Sequence, residues 1–260
     1  MSDESLRERS GVAEFAPDLR RFTPARVSLG QAGPAVPTSE QLRFQLDHAL
    51  ARDAVHARLD VSAMIRGLKQ RGMDCVALQS AVTAGNDRSV YLRRPDLGRK
   101  LNAKSVDDLR TRAKAASGAD VVFMIVDGLS ALAVERHALA LLDEMIAGIG
   151  AENAAPVCVV SDGRVAIGDE IGFLLQAKLA MVLIGERPGL SAPDSLGVYI
   201  TWDPKPGRTD AERNCVSNIR AEGLSYKDAA QRILYYMSEA RRLSTTGVML
   251  KERAGLPELP

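Results

Sequence analysis

Four stretches of this chain are apolar at nearly every position and are spaced along residues 121 to 201: Val121–Val126, Val157–Val160, Leu179–Ile184 and Val198–Thr201. A run of this length without polar alternation leaves no face for solvent, so it fits a strand buried on both sides. Between the first two lies a helical stretch, Leu129 to Ile149, and between the next two a shorter one around Glu170 to Gln176. Strands of this kind separated by helices build a parallel sheet with a helical layer on each face. The expected fold class is α/β: a Rossmann-like, mostly parallel sheet covered by helices, with an N-terminal arm and helical extension.

Upstream the pattern differs. Residues 1 to about 37 mix charges with Pro17, Pro24, Pro34 and Pro37 and show no periodicity, which predicts an extended arm. Thr38-x-x-Gln41 reads as a capping box, followed by Leu42, Leu46, Ala49, Leu50 and Ala54 on one stripe. A second helix runs from about Val61 to Arg71 and stops at Gly72. Asp74 to Gln79 reads as a short strand, Gly85 to Gly98 as a loop in a basic stretch with Arg88, Arg93, Arg94 and Arg99, and Ser105-x-x-Asp108 as the start of a helix ending near Gly118. A last helix, about Tyr226 to Arg242, carries Ala229, Ile233, Leu234 and Met237 on one stripe. The expected organisation is an arm over residues 1–37, a helical region over 38–118 and an α/β region over 119–260.

Charge and cysteine usage narrow the partners. Thirty-four Lys and Arg against 33 Asp and Glu leave a formal charge of +1, so no global field draws the chain onto nucleic acid or anionic lipid. Cys75, Cys158 and Cys215 are odd in number and widely spaced, matching neither a disulfide framework nor a metal knuckle. The charged start MSDESLRERSG has no secretory apolar core, and no apolar run approaches the roughly 20 residues of a membrane span. The expectation is a cytoplasmic protein with neither nucleic-acid nor membrane partners.

In open α/β sheets ligands bind beyond the carboxyl ends of the strands. The segments there are Asp127-Gly128-Leu129-Ser130, Ser161-Asp162-Gly163-Arg164-Val165, Gly185-Glu186-Arg187-Pro188-Gly189-Leu190 and Trp202-Asp203-Pro204. Each joins a glycine or proline to a carboxylate, and four at one sheet edge predict a large ligand; a turn composition common to all such folds is the competing explanation. Phosphate-loop, dinucleotide and serine-hydrolase signatures are missing, and His48, His56 and His137 all fall in helical segments, so no metal site or catalytic set is expected. Cys215 stands in the polar segment Arg213–Arg220, where cationic neighbours favour a thiolate; a small filler in a loop is the alternative. Trp202 either stacks on a planar ligand or seals a core edge.

Five segments, taken in order, go further. They are Phe22-Thr23-Pro24-Ala25-Arg26-Val27; Gln45–Ala49 with Arg52–Val55; Asp127-Gly128-Leu129-Ser130-Ala131; Gly185–Leu190; and Asn214-Cys215-Val216-Ser217-Asn218-Ile219. In this order and spacing, over about residues 20 to 250, the chain resembles the small (light) subunit family of ethanolamine ammonia-lyase. The resemblance implies an adenosylcobalamin-dependent lyase, converting ethanolamine to acetaldehyde and ammonia, in which a large TIM-barrel subunit holds substrate and the small subunit closes over the cofactor. It implies a hetero-oligomer with equal numbers of both subunits, no activity for this chain alone, and no catalytic residue in it. Carried onto this sequence, the cobalamin contacts are Val165, Glu186 and Cys215. An Asp-x-His-x-x-Gly motif, whose histidine would displace the cofactor's own base, is absent, which implies base-on cobalamin. In related proteins the N-terminal end can serve as an address for a bacterial microcompartment; here the stretch before residue 20 lies outside the resemblance. A purely structural subunit and a stand-alone small-molecule-binding module are the alternatives from other classes.

Overall fold

The computed structural model describes residues 19–23, 25–82, 88–115, 119–149 and 156–251. Residues 1–18 of the expected arm, residues 85–87 of the expected loop and residues 116–118 at the expected end of the third helix lie outside the described residues. All four apolar runs are strands, and two more join them. The strands are β1 (Cys75–Gln79), β2 (Val121–Val126), β3 (Val157–Ser161), β4 (Leu179–Gly185), β5 (Leu196–Trp202) and β6 (Asn214–Ile219). They form one sheet in the order β1-β3-β2-β4-β5-β6. β1 to β4 are parallel, β5 is antiparallel to β4, and β6 is antiparallel to β5. β2 and β4 are buried at every position, as their unbroken apolar composition requires.

Among the described residues, seven helices accompany the sheet: α1 (Thr38–His56), α2 (Val61–Gln70), α3 (Arg88–Arg93), α4 (Ala103–Ala115), α5 (Ala131–Ile149), α6 (Ile167–Leu174) and α7 (Tyr226–Leu243). The α/β class is therefore what the sequence predicts. One face of the sheet packs against α2, α5 and α7, through Leu68, Leu141, Met145, Ile233 and Met237 among others. The other packs against α4 and α6 through Leu109, Ile167 and Ile171. β5 supplies Val198 and Ile200 to the first face, while Tyr199, half-buried, points to the second. Trp202 also packs on the first face, so it seals a core edge.

Several local expectations change. The Thr38 capping box does not form: Pro37 occupies the cap with no side-chain bond. The stripe of α1 faces outward, with Leu42, Leu46 and Leu50 exposed and only Ala54 buried. The basic stretch folds into α3 because Arg88 is drawn into the interior, at 5% exposure. α4 begins two residues before Ser105, where the Asn102 side chain accepts from the Ser105 N–H at 2.8 Å. Residues 214–219, to which the sequence pattern assigns no secondary structure, form the edge strand β6, whose burial alternates at Asn214-Cys215-Val216-Ser217. Among the described residues no helix is long and apolar enough to cross a membrane.

Candidate functional site

β1 to β4 and β6 end at one edge of the sheet, and β5 begins there. Three of the four expected segments, Asp127–Ser130, Ser161–Val165 and Gly185–Leu190, follow strands that end at this edge. Trp202-Asp203-Pro204 lies at the opposite edge, because β5 runs the other way. That corrects the expectation of four segments around one ligand.

The centre of this edge is filled by the protein itself. Arg88 donates through Nη1 to Asp127 at 2.7 Å and Asp162 at 3.0 Å, through Nη2 to the Gly128 carbonyl at 2.7 Å, and through Nε to the Val55 carbonyl at 3.1 Å. Burial pushes the Asp127 carboxyl up to about 6, with Arg88 pulling it the other way. The glycines here admit backbone rather than ligand. Leu129 N–H donates to the Gly185 carbonyl at 2.9 Å, and a Cβ on Gly185 would stand 2.0 Å from the Ser130 carbonyl oxygen.

Access lies to one side, on the sheet face that α4 and α6 cover only in part. β6 turns Cys215 and Ser217 outward, both exposed, and beside them Tyr199 is half-buried. Cys215 pairs with Tyr199 across the strands, so the thiol and the Tyr199 ring stand as cross-strand neighbours on this face. Val165, two residues before α6, packs against the same layer and lines a cavity of about 480 Å³ together with Tyr199, Arg99, Arg164 and Arg208. Glu186 folds back over β5, where a Cβ on Gly197 would be 2.8 Å from its Oε1. Its carboxylate accepts a short bond from the Ser195 hydroxyl and one of 3.4 Å from the Asn218 N–H. Asn218 adopts φ 58°, the left-handed region that asparagine tolerates better than most residues.

The three residues singled out by the sequence, Val165, Glu186 and Cys215, are thus disposed around Tyr199, whose titration feels both Cys215 and Glu186. Sequence reasoning missed Tyr199; its signal was the alternation Val198-Tyr199-Ile200, in which one residue must face away from its neighbours. The expected thiolate at Cys215 is overturned. Desolvation against the sheet pushes the thiol up to about 11, with Tyr199 opposing the rise and Glu186 adding to it. Arg213, named as a cationic neighbour, points inward to Asp169, with Nη2 2.8 Å from Oδ2. Tyr199 is likewise held protonated, mainly by burial. The face therefore offers a carboxylate acceptor, a thiol and hydroxyl, an apolar floor and arginines, and among the described residues no nucleophile and base are assembled on it.

Comparison with known proteins bears on what this face serves. Residues 13–251 match the sequence model of the ethanolamine ammonia-lyase light chain family. Over 262 aligned residues the chain is 52% identical to the ethanolamine ammonia-lyase small subunit of Pseudomonas aeruginosa (strain PAO1), covering 100% of this chain and 94% of that one. It is 54% identical over 240 residues to the protein of the same description from Pseudomonas putida (strain W619), covering 91% and 87% of the two chains. Identity to that from Xanthomonas campestris pv. campestris (strain ATCC 33913) is 52% over 244 residues, 93% and 89% of the two.

Proposed function

The chain belongs to the ethanolamine ammonia-lyase light-chain family, and we propose that it closes over adenosylcobalamin at the interface with a large, TIM-barrel, substrate-holding subunit. The assembly is a hetero-oligomer that converts ethanolamine to acetaldehyde and ammonia, cytoplasmic or enclosed in a bacterial microcompartment. The cofactor supplies the radical chemistry by breaking its cobalt–carbon bond, and the protein supplies positioning and exclusion of water.

The observation that carries this reading is the partly uncovered face at β5 and β6. A sheet otherwise covered on both sides leaves one patch without its second layer, and Val165, Glu186 and Cys215 stand at that patch around Tyr199. Its chemistry fits a corrin, a broad apolar plate fringed with amides. Val165 and Tyr199 offer apolar contact. Glu186 is acceptor-only, with about four lone-pair sites, of which Ser195 and Asn218 use two, so it has capacity left for amide N–H groups. The Cys215 thiol, held protonated, adds a weak donor. Because the motif that replaces the cofactor's base is absent, the cobalamin is bound base-on.

The test is adenosylcobalamin titration into complexes reconstituted with wild-type or Glu186→Ala chain, after size-exclusion confirms assembly. An unpaired buried donor costs about 1–3 kcal/mol, which corresponds to roughly five- to 150-fold weaker binding; Glu186→Gln, which keeps one acceptor, loses less. Unchanged affinity in an intact Glu186→Ala complex would refute the assignment. Acetaldehyde formation by the isolated chain would refute the division of labour.

A further inference from the structure

The cavity beside Val165 carries more positive charge than its own carboxylates answer. Of the arginines lining it, Arg208 pairs with Asp203 and Glu212, and Arg213 with Asp169 and Asp210. Arg99 and Arg164 line the same cavity, and among the described residues no carboxylate oxygen is paired with either. Arg164 is nevertheless held in place. Its N–H donates to the Gly98 carbonyl at 2.7 Å, its guanidinium lies 4.3 Å from the centre of the Tyr91 ring, and Nη2 donates to the Tyr91 carbonyl at 3.4 Å. The ring is itself fixed by its hydroxyl, which donates to the Gly163 carbonyl at 2.9 Å. Gly98 lets the chain pass this close, since a Cβ there would stand 2.8 Å from Arg164 Cγ. Two cations at one concave site, one of them oriented by stacking rather than by an anion, make a prepared site for an anionic oxygen group.

Resting on the cofactor reading above, we infer that Arg99 and Arg164 form the subsite for the phosphodiester of the cobalamin's nucleotide loop. That phosphodiester is the one peripheral anionic group of a molecule otherwise fringed by neutral amides. Arg164 directly precedes Val165, so a ligand that touches Val165 is one residue from this guanidinium. Arginine suits the role because its planar fork meets phosphate oxygens two at a time.

The experiment compares adenosylcobalamin with adenosylcobinamide, which lacks the phosphodiester, ribose and base. Each is titrated into reconstituted complexes of wild type, Arg99→Gln, Arg164→Gln and the double variant, and bound corrinoid is read by its visible absorption after gel filtration. Arg99 is exposed, so its variant tests the idea without threatening the fold. The expected result is roughly ten- to 100-fold weaker adenosylcobalamin binding in the double variant, with adenosylcobinamide binding unchanged. Equal losses for both ligands, or no loss for either in an intact complex, would overturn the inference. Loss of assembly in Arg99→Gln would assign the cations to a carboxylate of the large subunit and overturn it too. So would saturation of the site by inorganic phosphate without weaker cobalamin binding, which would mark a free-anion site. If the wild-type complex binds neither corrinoid, the cofactor reading itself fails, and this inference with it.

Discussion

Replacing Arg88 by methionine tests what closes the centre of the carboxyl edge. The change keeps an unbranched apolar stem but removes a guanidinium that serves Asp127, Asp162 and the carbonyls of Gly128 and Val55. The side chains of Arg88 and Asp127 are each 4% exposed and that of Asp162 13%, so both carboxylates lose their cation where water replaces it poorly. Breaking a buried pair on one side costs about 3–5 kcal/mol, a large part of the roughly 5–15 kcal/mol that stabilises a typical domain. At about 2–4 °C per kcal/mol for chains near this length, the melting temperature falls by roughly 6–20 °C. The loss depends on pH in a definite direction. Asp127 sits at about 6 in the folded protein, raised by burial and held down by Arg88. An acid whose folded value is raised stabilises the fold fully below its unfolded value near 4 and loses that contribution as pH rises through the folded value. Without Arg88 the folded value climbs further, so the variant gains more than wild type on acidification. Urea and thermal unfolding of both proteins at pH 5 and pH 8 is the assay, with the gap between them narrower at pH 5. A loss below about 1 kcal/mol, or a gap equal at the two pH values, would refute the electrostatic reasoning.

Three further outcomes follow from single sites. With its thiol at about 11, Cys215 is alkylated by iodoacetamide at pH 8 on the order of 200-fold more slowly than an ordinary cysteine, and the rate climbs about tenfold per pH unit; peptide mass spectrometry of the isolated chain would detect a contrary fast reaction. Gly185→Ala forces a Cβ against the Ser130 carbonyl and lowers stability by about 1–3 kcal/mol or more, whereas a wild-type melting curve would mean that the two turns separate freely. Asn102→Ala removes the α4 cap and costs about 1 kcal/mol, visible as a lower urea midpoint at unchanged slope.

The sequence by itself determined the strands whose burial is complete. Val121–Val126 and Leu179–Ile184 have no polar side to turn outward, so their composition alone demands a covered sheet. It also marked Glu186, because a carboxylate after such a strand falls at the sheet's edge whatever the helices do. β6 was illegible: an edge strand buries only alternate residues, and Asn214-Cys215-Val216-Ser217 reads as a polar loop until β5 supplies the partner. The direction of β5 could not be read either, since an apolar run is the same forwards and backwards. Only its pairing with β4 sends Trp202 to the far edge and brings Tyr199 beside Cys215. Arg88 looked like one more solvated cation in a basic stretch. Its burial depends on Asp127, 39 residues away, and Asp162, 74 residues away, and no local pattern encodes an ion pair that the folded chain alone brings together.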